Sequence, residues 1–338
     1  MDTNSNPLIR GLLSPFSSLY NFITSLRNQA FDAGLLEKYQ SPIPTIAIGN
    51  LSVGGTGKTP MTEFLIKNLK VDNKAVISRG YGRKSKGLLK VDPQGSAVEF
   101  GDESLQIAQK FPIKVWVSEE RKLGLKAAEA EAVDLILLDD AFQHRYVKAN
   151  RYLMLSRFDQ PFFSDHVLPG GSLRESRNGA QRADFIIFTK CPSELSEELK
   201  QEYRFRSAYY SDAPVLFADL VYGDIEDQNS KTINQDLPIV LISGIADNSA
   251  LLKHLQSNFK IAEVLSFKDH HAFKAEDISA YLAKAEAGEI NIVCTDKDRV
   301  KLGPLAGDIP LFSVPVEHRF SPEDQKLLLD DLQGLISF

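Results

Sequence analysis

Ser52-Val53-Gly54-Gly55-Thr56-Gly57-Lys58-Thr59 is the stretch from which the rest of the chain is read. Before it lies Pro44-Thr45-Ile46-Ala47-Ile48-Gly49, apolar throughout like a buried strand, and after it Met61–Lys70 has the spacing of an amphipathic helix. Strand, glycine-rich turn and helix in that order build a phosphate-binding loop. Glycines let the backbone wrap closely enough for its N–H groups to point at phosphate oxygens, and the helix N-terminus adds partial positive charge. Lys58 is placed to reach the β- and γ-phosphates, and the Thr59 hydroxyl is a ligand for Mg²⁺. Ser52 stands where the general pattern has glycine. Residues Ser52 to Thr59 are therefore expected to hold a nucleoside triphosphate.

Such a loop works with an acid at the end of a neighbouring apolar strand, which holds Mg²⁺ directly or through water. Asp139 and Asp140, directly after Leu135-Ile136-Leu137-Leu138, fit that place; a plain strand-end turn is the other reading. A guanine-specific protein would show Asp-x-x-Gly here and Asn-Lys-x-Asp later. The chain has Asp140-Ala141-Phe142 and only Thr189-Lys190-Cys191-Pro192, so ATP is the expected nucleotide.

Further out, short apolar runs alternate with helical stretches. Ala75–Ser78, Ile113–Val117, Asp134–Leu138, Tyr152–Leu155 and Phe185–Phe188 read as buried strands, with Arg121–Glu131 among the helices between them. Continuous apolar strands separated by helices specify a mostly parallel sheet covered on both faces. Arg206–Tyr210 and Val215–Val221 read as two strands around a turn, followed by a polar loop from Gly223 to Asp236. Ile239–Ile242, Ile261–Leu265, Ile290–Val293 and Leu311–Val314 then resume the alternation, and Ser321-Pro322-Glu323 has the cap and first-turn proline that open a helix. The expected organisation is an N-terminal helix (1–36), a P-loop α/β core (37–203), a two-stranded, hairpin-like linker (204–236) and a smaller C-terminal α/β domain (237–338).

Length and composition agree. The chain has 338 residues, enough for two domains, and 43% hydrophobic with 25% charged residues excludes a mainly disordered chain. A net charge of −6 argues against a general nucleic-acid binder, which carries a basic excess. Two cysteines, Cys191 and Cys294, make neither a disulfide framework nor a cysteine-rich zinc site, so a reducing compartment is expected. Asp2 and Asn4 stand where a secretory signal would be basic, and no run of 18 apolar residues exists to span a bilayer. From Gly11 to Leu26 there is no charge, and Leu12, Phe16, Leu19, Ile23, Leu26 and Ala30 recur on one helical face. Two readings stand side by side: a helix lying in the plane of a bilayer surface, and a helix packed on its own domain.

A phosphate loop serves hydrolysis or transfer, and several clusters are candidates for an acceptor site. Arg79, Arg83, Lys84, Lys86 and Lys90 put five cations into twelve positions without an acid, suited to an anionic substrate or lipid surface, or simply to a solvated loop. Gly101-Asp102-Glu103 opens a helix, where Asp102 is by default an N-cap. Leu168-Pro169-Gly170-Gly171-Ser172-Leu173-Arg174-Glu175 is a loop whose arginine can clamp a phosphate. Asp269-His270-His271 follows a strand and reads plainly as a turn; a metal site there would need further Cys or His ligands in a chain with six histidines.

Taken in order, these motifs resemble the tetraacyldisaccharide 4′-kinase family. The resemblance rests on Gly49–Pro60, Ser78-Arg79-Gly80-Tyr81-Gly82, Gly101-Asp102-Glu103, Leu138-Asp139-Asp140-Ala141-Phe142-Gln143-His144-Arg145, Leu168–Glu175, Asp269-His270 and Thr295-Asp296-Lys297-Asp298. Ser52 is usual in that family. The resemblance implies an ATP- and Mg²⁺-dependent lipid kinase on the cytoplasmic face of the inner membrane, peripheral or monotopic through its N-terminal helix. Its substrate would be tetraacyldisaccharide 1-phosphate, phosphorylated on the 4′-hydroxyl to give lipid IVA, with no nucleic acid and no obligate protein partner. Carried over by position, Asp102 matches the base and His270 its partner, with the spacing after Asp269 favouring His270 over His271. Asp139 and Asp140 match the acids near Mg²⁺, and Arg174 and Glu175 a loop at the active site expected to bind substrate. The basic loop with Arg79 and Arg83 would recognise the substrate's 1-phosphate or the membrane. Thr295-Asp296-Lys297-Asp298 has Asp where the family often has Glu, a shorter reach, and Asp296 is given no catalytic role. A histidine in the second domain implies a cleft that closes on binding. The competing readings are a membrane-associated ATPase that positions proteins or partitions DNA, and a non-catalytic nucleotide switch. The former carries a lysine where this chain has Val53.

Overall fold

The computed structural model describes residues 7–245 and 247–336, with side chains from residue 11 onward. Residues 1–6 of the expected N-terminal segment, Asp2 and Asn4 among them, lie outside the described residues, as do the Arg10 side chain and positions 246, 337 and 338. The chain divides into two compact units, one formed by 1–79, 118–220 and 318–338, the other by 80–117 and 221–317. The units are thus interleaved rather than consecutive. The linear boundaries expected from sequence miss the transfer of 80–117 to the second unit and the return of the last helix to the first.

Six parallel strands run side by side in the first unit, in the order Val215–Tyr222, Phe185–Thr189, Arg151–Arg157, Thr45–Asn50, Leu135–Leu138, Lys74–Ser78. Thr45–Asn50 is buried at every position, which is why its sequence is a continuous apolar run rather than an alternation. Ile46 sits opposite Leu137 on one side, and Ile48 opposite Leu153 on the other. The strand feeding the phosphate loop is thus flanked by the third and fourth strands of the unit. The order reverses there, and α/β sheets bind ligands at the carboxyl ends of such strands. Leu51, Phe142, Met154, Phe162, Leu173 and Phe188 form a core beside it. The last helix, Pro322–Ile336, opens as its sequence predicts, with the Ser321 hydroxyl accepting from Asp324 N at 3.1 Å, and buries Leu328 and Leu332.

The second unit has four parallel strands ordered Ile261–Ser266, Ile239–Ser243, Asn291–Thr295, Leu311–Val314. Ile239, Leu241 and Val293 serve one core, and Val240, Ile242, Ile292 and Cys294 the other, so both faces are covered. Residues 80–117 bring the helix Asp102–Lys110 and a short antiparallel pair, Leu89–Lys90 with Lys114–Val117, which is not part of that four-stranded sheet. That helix is held to the helix Asp296–Ala306 by Lys110 Nζ, 2.8 Å from Asp296 Oδ2. Hydrophobic periodicity predicted the elements but cannot say on which sheet a segment packs.

One element was misread. Arg206–Tyr210 is not a strand: its first three residues end the helix Glu197–Ala208, so the two-stranded linker is a helix followed by Val215–Tyr222. The helix has ordinary start signals that the aromatic residues hid. The Ser196 hydroxyl accepts from Leu199 N, Glu197 and Glu198 fill the first turn, and Glu202 pairs with Arg206 at 3.3 Å one turn on.

Both cysteines are free and buried; burial pushes the Cys191 thiol up to about 12 and the Cys294 thiol further in the same direction.

The N-terminal helix, Pro7–Asp32, packs with its polar side. The Ser17 hydroxyl accepts from Gly170 N at 2.9 Å, Tyr20 OH donates to Arg174 O at 3.1 Å, and Asn28 Nδ2 donates to Glu175 Oε2 at 2.7 Å. Arg145 grips Asp32 and the Asn28 carbonyl, and Phe31 is buried against Tyr146. The apolar stripe is left outside: Leu12, Phe16, Leu19, Ile23 and Leu26 are 57–77% exposed, with Phe22 beside them at 64%. Soluble helices bury such a face. No helix among the described residues is long and apolar enough to cross a membrane.

Candidate active site

The phosphate loop leaves the strand Thr45–Asn50 and enters the helix Lys58–Asn68. Side chains from the sheet hold its backbone. Asn50 Nδ2 donates to the Thr56 hydroxyl at 2.9 Å, and the Thr189 hydroxyl donates to the Thr56 carbonyl at 2.9 Å. Gly57, at φ 82°, is the residue before the helix; that left-handed conformation favours glycine. Its carbonyl accepts from Met61 N at 3.1 Å and from His318 Nε2 at 2.9 Å. A Cβ on Gly57 would stand 3.0 Å from the His318 ring. Burial lowers the His318 pKa to about 4, so the ring is neutral and its proton is on Nε2, facing the carbonyl.

Residues 172–174 run antiparallel to the start of the loop. Val53 N donates to Ser172 O at 2.8 Å, and Arg174 N donates to Leu51 O at 2.7 Å. That pairing carries the Arg174 guanidinium to Asp140, with Nη1 3.2 and 3.3 Å from the two carboxylate oxygens, while Lys58 Nζ lies 3.4 Å from Asp140 Oδ1. Burial raises the Asp140 pKa, but Lys58 and Arg174 outweigh it and hold the carboxyl below the usual range. Asp140 itself adopts φ 46°, an uncommon conformation for a residue with a side chain. Asp139, fully buried, accepts from the Ser78 hydroxyl at 3.4 Å. The structure thus brings Lys58 of the loop, Asp140 and Arg174 into contact, with Asp139 next to Asp140 in the chain.

Glu175, expected in a loop at the active site, is bound by neighbouring side chains. It is buried, and its carboxylate accepts from Arg182 at 2.7 Å, Gln143 Nε2 at 3.1 Å and Asn28 Nδ2 at 2.7 Å. Gln143 also donates to Asn50 O at 2.7 Å, so Glu175 ties the N-terminal helix to the strand that feeds the loop.

In the second unit Asp102 and His270, 168 positions apart in sequence, meet with Nδ1 3.2 Å from Oδ2. Asp102 is not an N-cap: Gly101 holds that place, at φ 87° with its Cβ position only 2.8 Å from Tyr81 O, and Asp102 is the first helical residue. Its side chain is thereby free of capping. His270 sits at φ 57° in the turn after Ile261–Ser266, with the Tyr81 ring 5.0 Å away. His271 goes elsewhere, to Asp277 at 3.2 Å and a stack on Phe267. Thr295-Asp296-Lys297-Asp298 opens the helix Asp296–Ala306, and that helix supplies the pair's neighbours: Lys297 Nζ is 3.1 Å from His270 Nε2, and Lys301 Nζ is 3.4 Å from Asp102 Oδ2.

The two arginines expected to recognise phosphate separate. Arg79 is exposed at the end of Lys74–Ser78 in the first unit. Arg83, in the second, is half-buried and donates to the carbonyls of Gly87 and Val117, which keeps its own loop in shape. Sequence reasoning passed over Gln143, Lys297, Lys301 and His318. Gln143 and Lys297 lay inside motifs already quoted; His318 and Lys301 carried no local signal.

A phosphate loop at the reversal point of a parallel sheet, with paired acids and a lysine beside it, defines a P-loop nucleotide-binding α/β protein. A family model described as tetraacyldisaccharide-1-P 4′-kinase matches residues 9–333. Tetraacyldisaccharide 4′-kinase of Flavobacterium psychrophilum is 42% identical over 330 residues, covering 94% of each chain, and that of Flavobacterium johnsoniae is 39% identical over 337 residues, covering 96% of this chain and 97% of the other. The crystal structure of the "apo" form of LpxK from Aquifex aeolicus in complex with ATP superposes with a TM-score of 0.80 at 30% identity, over 98% of this chain and 100% of that one. The chain belongs to the tetraacyldisaccharide 4′-kinase family.

Proposed function

We propose that the phosphate loop and the Asp102–His270 pair serve one reaction, transfer of the γ-phosphoryl group of ATP to the 4′-hydroxyl of tetraacyldisaccharide 1-phosphate, giving lipid IVA. The observation that carries this reading is the Asp102–His270 contact. A phosphate loop alone suits hydrolysis, switching or transfer, whereas a carboxylate braced by an imidazole is what a weakly nucleophilic sugar hydroxyl needs. Asp102 takes the hydroxyl proton as the oxygen attacks, and Lys58 with the loop N–H groups neutralises charge on the transferring group. Arg174, now paired with Asp140, is placed to exchange that partner for a phosphate oxygen. Arg79, exposed at the strand end, is the candidate for the 1-phosphate, and Arg83 supports it by shaping its own loop.

Among the described residues no group of three or more His, Cys, Asp or Glu forms a metal cage of its own. Thr59, Asp139 and Asp140 offer one hydroxyl and two carboxylates at the loop, a hard oxygen set that fits Mg²⁺, which is commonly held by one or two carboxylates together with substrate phosphates. Bound there, the ion would neutralise charge on the triphosphate. The outward apolar stripe of the N-terminal helix, from Leu12 to Leu26, supports docking on the cytoplasmic face of the inner membrane, where the acyl chains of the substrate remain. The partitioning-ATPase and switch readings have no use for Asp102 and His270.

The test is transfer of labelled γ-phosphate from ATP to tetraacyldisaccharide 1-phosphate in detergent micelles. Labelled lipid is expected from the native chain and not from Lys58→Ala, with Asp102→Asn reducing turnover about 10²-fold or more. ATP binding without lipid labelling overturns the reading, and unchanged turnover in Asp102→Asn overturns the base.

A further inference from the structure

We propose that Lys297 and Lys301, one turn apart on the helix Asp296–Ala306, are positioning residues for the Asp102–His270 pair. Lys297 fixes the ring tautomer, with Nε2 as acceptor and the proton on Nδ1, and Lys301 holds the Asp102 carboxylate in place by a charge contact. The inference deepens the reading of Asp102 as base and rests on it for its kinetic consequences only.

The argument begins with donors and acceptors. An ammonium has three donors and no acceptor, and a neutral imidazole has one of each. Lys297 Nζ lies 3.1 Å from His270 Nε2, so Nε2 is the acceptor and the single ring proton is on Nδ1, 3.2 Å from Asp102 Oδ2. A second proton on Nε2 would point at an ammonium already in contact. Lys297 is itself held by Asp269 Oδ1 at 3.0 Å, the oxygen that also accepts from His270 N, so cation, acid and imidazole form a closed cluster. Four residues on, and therefore on the same helical face, Lys301 Nζ stands 3.4 Å from Asp102 Oδ2 and 3.1 Å from Asp298 Oδ1, as charge contacts rather than aligned hydrogen bonds. Asp298 is fully buried and anchored by Gly244 N at 2.9 Å and the Thr295 hydroxyl at 2.8 Å, so Lys301 is braced from behind.

The consequence is a division of labour. His270 and Lys301 both address Oδ2 of Asp102 and neither takes Oδ1, which leaves Oδ1 for the substrate hydroxyl. As the hydroxyl oxygen bonds to the γ-phosphorus and the bond to the β-phosphate oxygen breaks, the O–H bond of the sugar breaks and its proton forms an O–H bond on Asp102. The proton stays there: Nε2 is occupied by Lys297, so His270 orients and polarises Asp102 and relays nothing. The groups facing His270 are Asp102 from the helix Asp102–Lys110, Asp269 from its own turn, Lys297 from the helix Asp296–Ala306, and the Tyr81 ring.

The test uses the full chain labelled with ¹⁵N in its histidine rings, with His270 assigned by its loss in His270→Asn. In the native protein at pH 8 the His270 spectrum is expected to show a protonated Nδ1 and a bare Nε2. In Lys297→Met the ring is expected to populate the Nε2–H tautomer at the same pH. Lys297→Arg, whose guanidinium also only donates, is expected to keep the native spectrum. In turnover, Lys297→Met and Lys301→Met each lower kcat about tenfold or more with KM for ATP within about twofold, and Lys297→Arg recovers most of the loss. A native spectrum with the proton on Nε2, or one unmoved by Lys297→Met, overturns the lock whether or not the chain is active. An intact lock with Asp102→Asn fully active overturns the base instead.

Discussion

Replacing His318, in the strand Val316–Phe320, by leucine probes the link between that strand and the phosphate loop, and the structure fixes the sign of its pH dependence. Burial holds the His318 pKa near 4 in the folded chain, against about 6.5 when unfolded. The folded state therefore refuses a proton that the unfolded state accepts. The stability involved is fully present above pH 6.5 and is lost as pH falls from 6.5 toward 4. At pH 5 the loss from this one ring is about 2 kcal/mol, and at pH 7.5 it is close to zero. Leucine removes that loss. His144, also lowered to about 4, chiefly by burial, stays in both proteins and cancels in the comparison. Urea unfolding at pH 7.5 and pH 5.0 should show the stability difference between the two proteins moving by about 2 kcal/mol in favour of His318→Leu on acidification. At pH 7.5 the same substitution takes one of two donors from the Gly57 carbonyl, worth about 1 kcal/mol, so an ATP analogue should bind roughly fivefold more weakly. His318→Gln, whose amide donates, should retain most of that affinity. An unfolding difference that is the same at both pH values would refute the buried neutral ring, and unchanged nucleotide affinity in His318→Leu would refute its hold on the loop.

Three further outcomes are expected. Phe16, Leu19 and Ile23 replaced together by serine should weaken binding to phospholipid vesicles roughly a hundredfold by removing about 3 kcal/mol of apolar transfer, with ATP affinity and thermal stability nearly unchanged because these side chains are exposed; undiminished vesicle binding in a sedimentation assay would refute the docking role. Arg174→Met should raise KM for ATP about tenfold and Arg174→Lys by less, since lysine keeps the charge that now meets both Asp140 oxygens but not the planar guanidinium; equal KM values in all three proteins would remove Arg174 from the site. Cys191 and Cys294, buried with their thiols held above the ordinary range, should resist iodoacetamide at pH 8 in the folded chain and react only on unfolding, as mass spectrometry would show.

The phosphate loop was legible because its chemistry is local: glycines, Lys58 and Thr59 must be contiguous to wrap one phosphate, and the strand and helix around them carry their own periodicity. Asp139 and Asp140 were legible for the same reason, at the end of a run buried on both faces. Asp102 and His270 could be singled out by resemblance, but their contact joins a helix in the 80–117 insertion to a turn 168 positions later, and only packing decides that. Glu175 shows the reverse case, a residue of a site motif whose carboxylate is spent on Arg182, Gln143 and Asn28. Composition decided that the N-terminal helix is amphipathic. Which side faces inward was decided by partners at Gly170, Arg174 and Glu175, which hold the polar face and leave the apolar stripe outside. Sequence by itself determines what is local, the strand, the turn and the helix. Tertiary structure alone chose the partners of Asp140, His270 and Gly57, because each is supplied by a segment whose place depends on the burial of residues elsewhere in the chain.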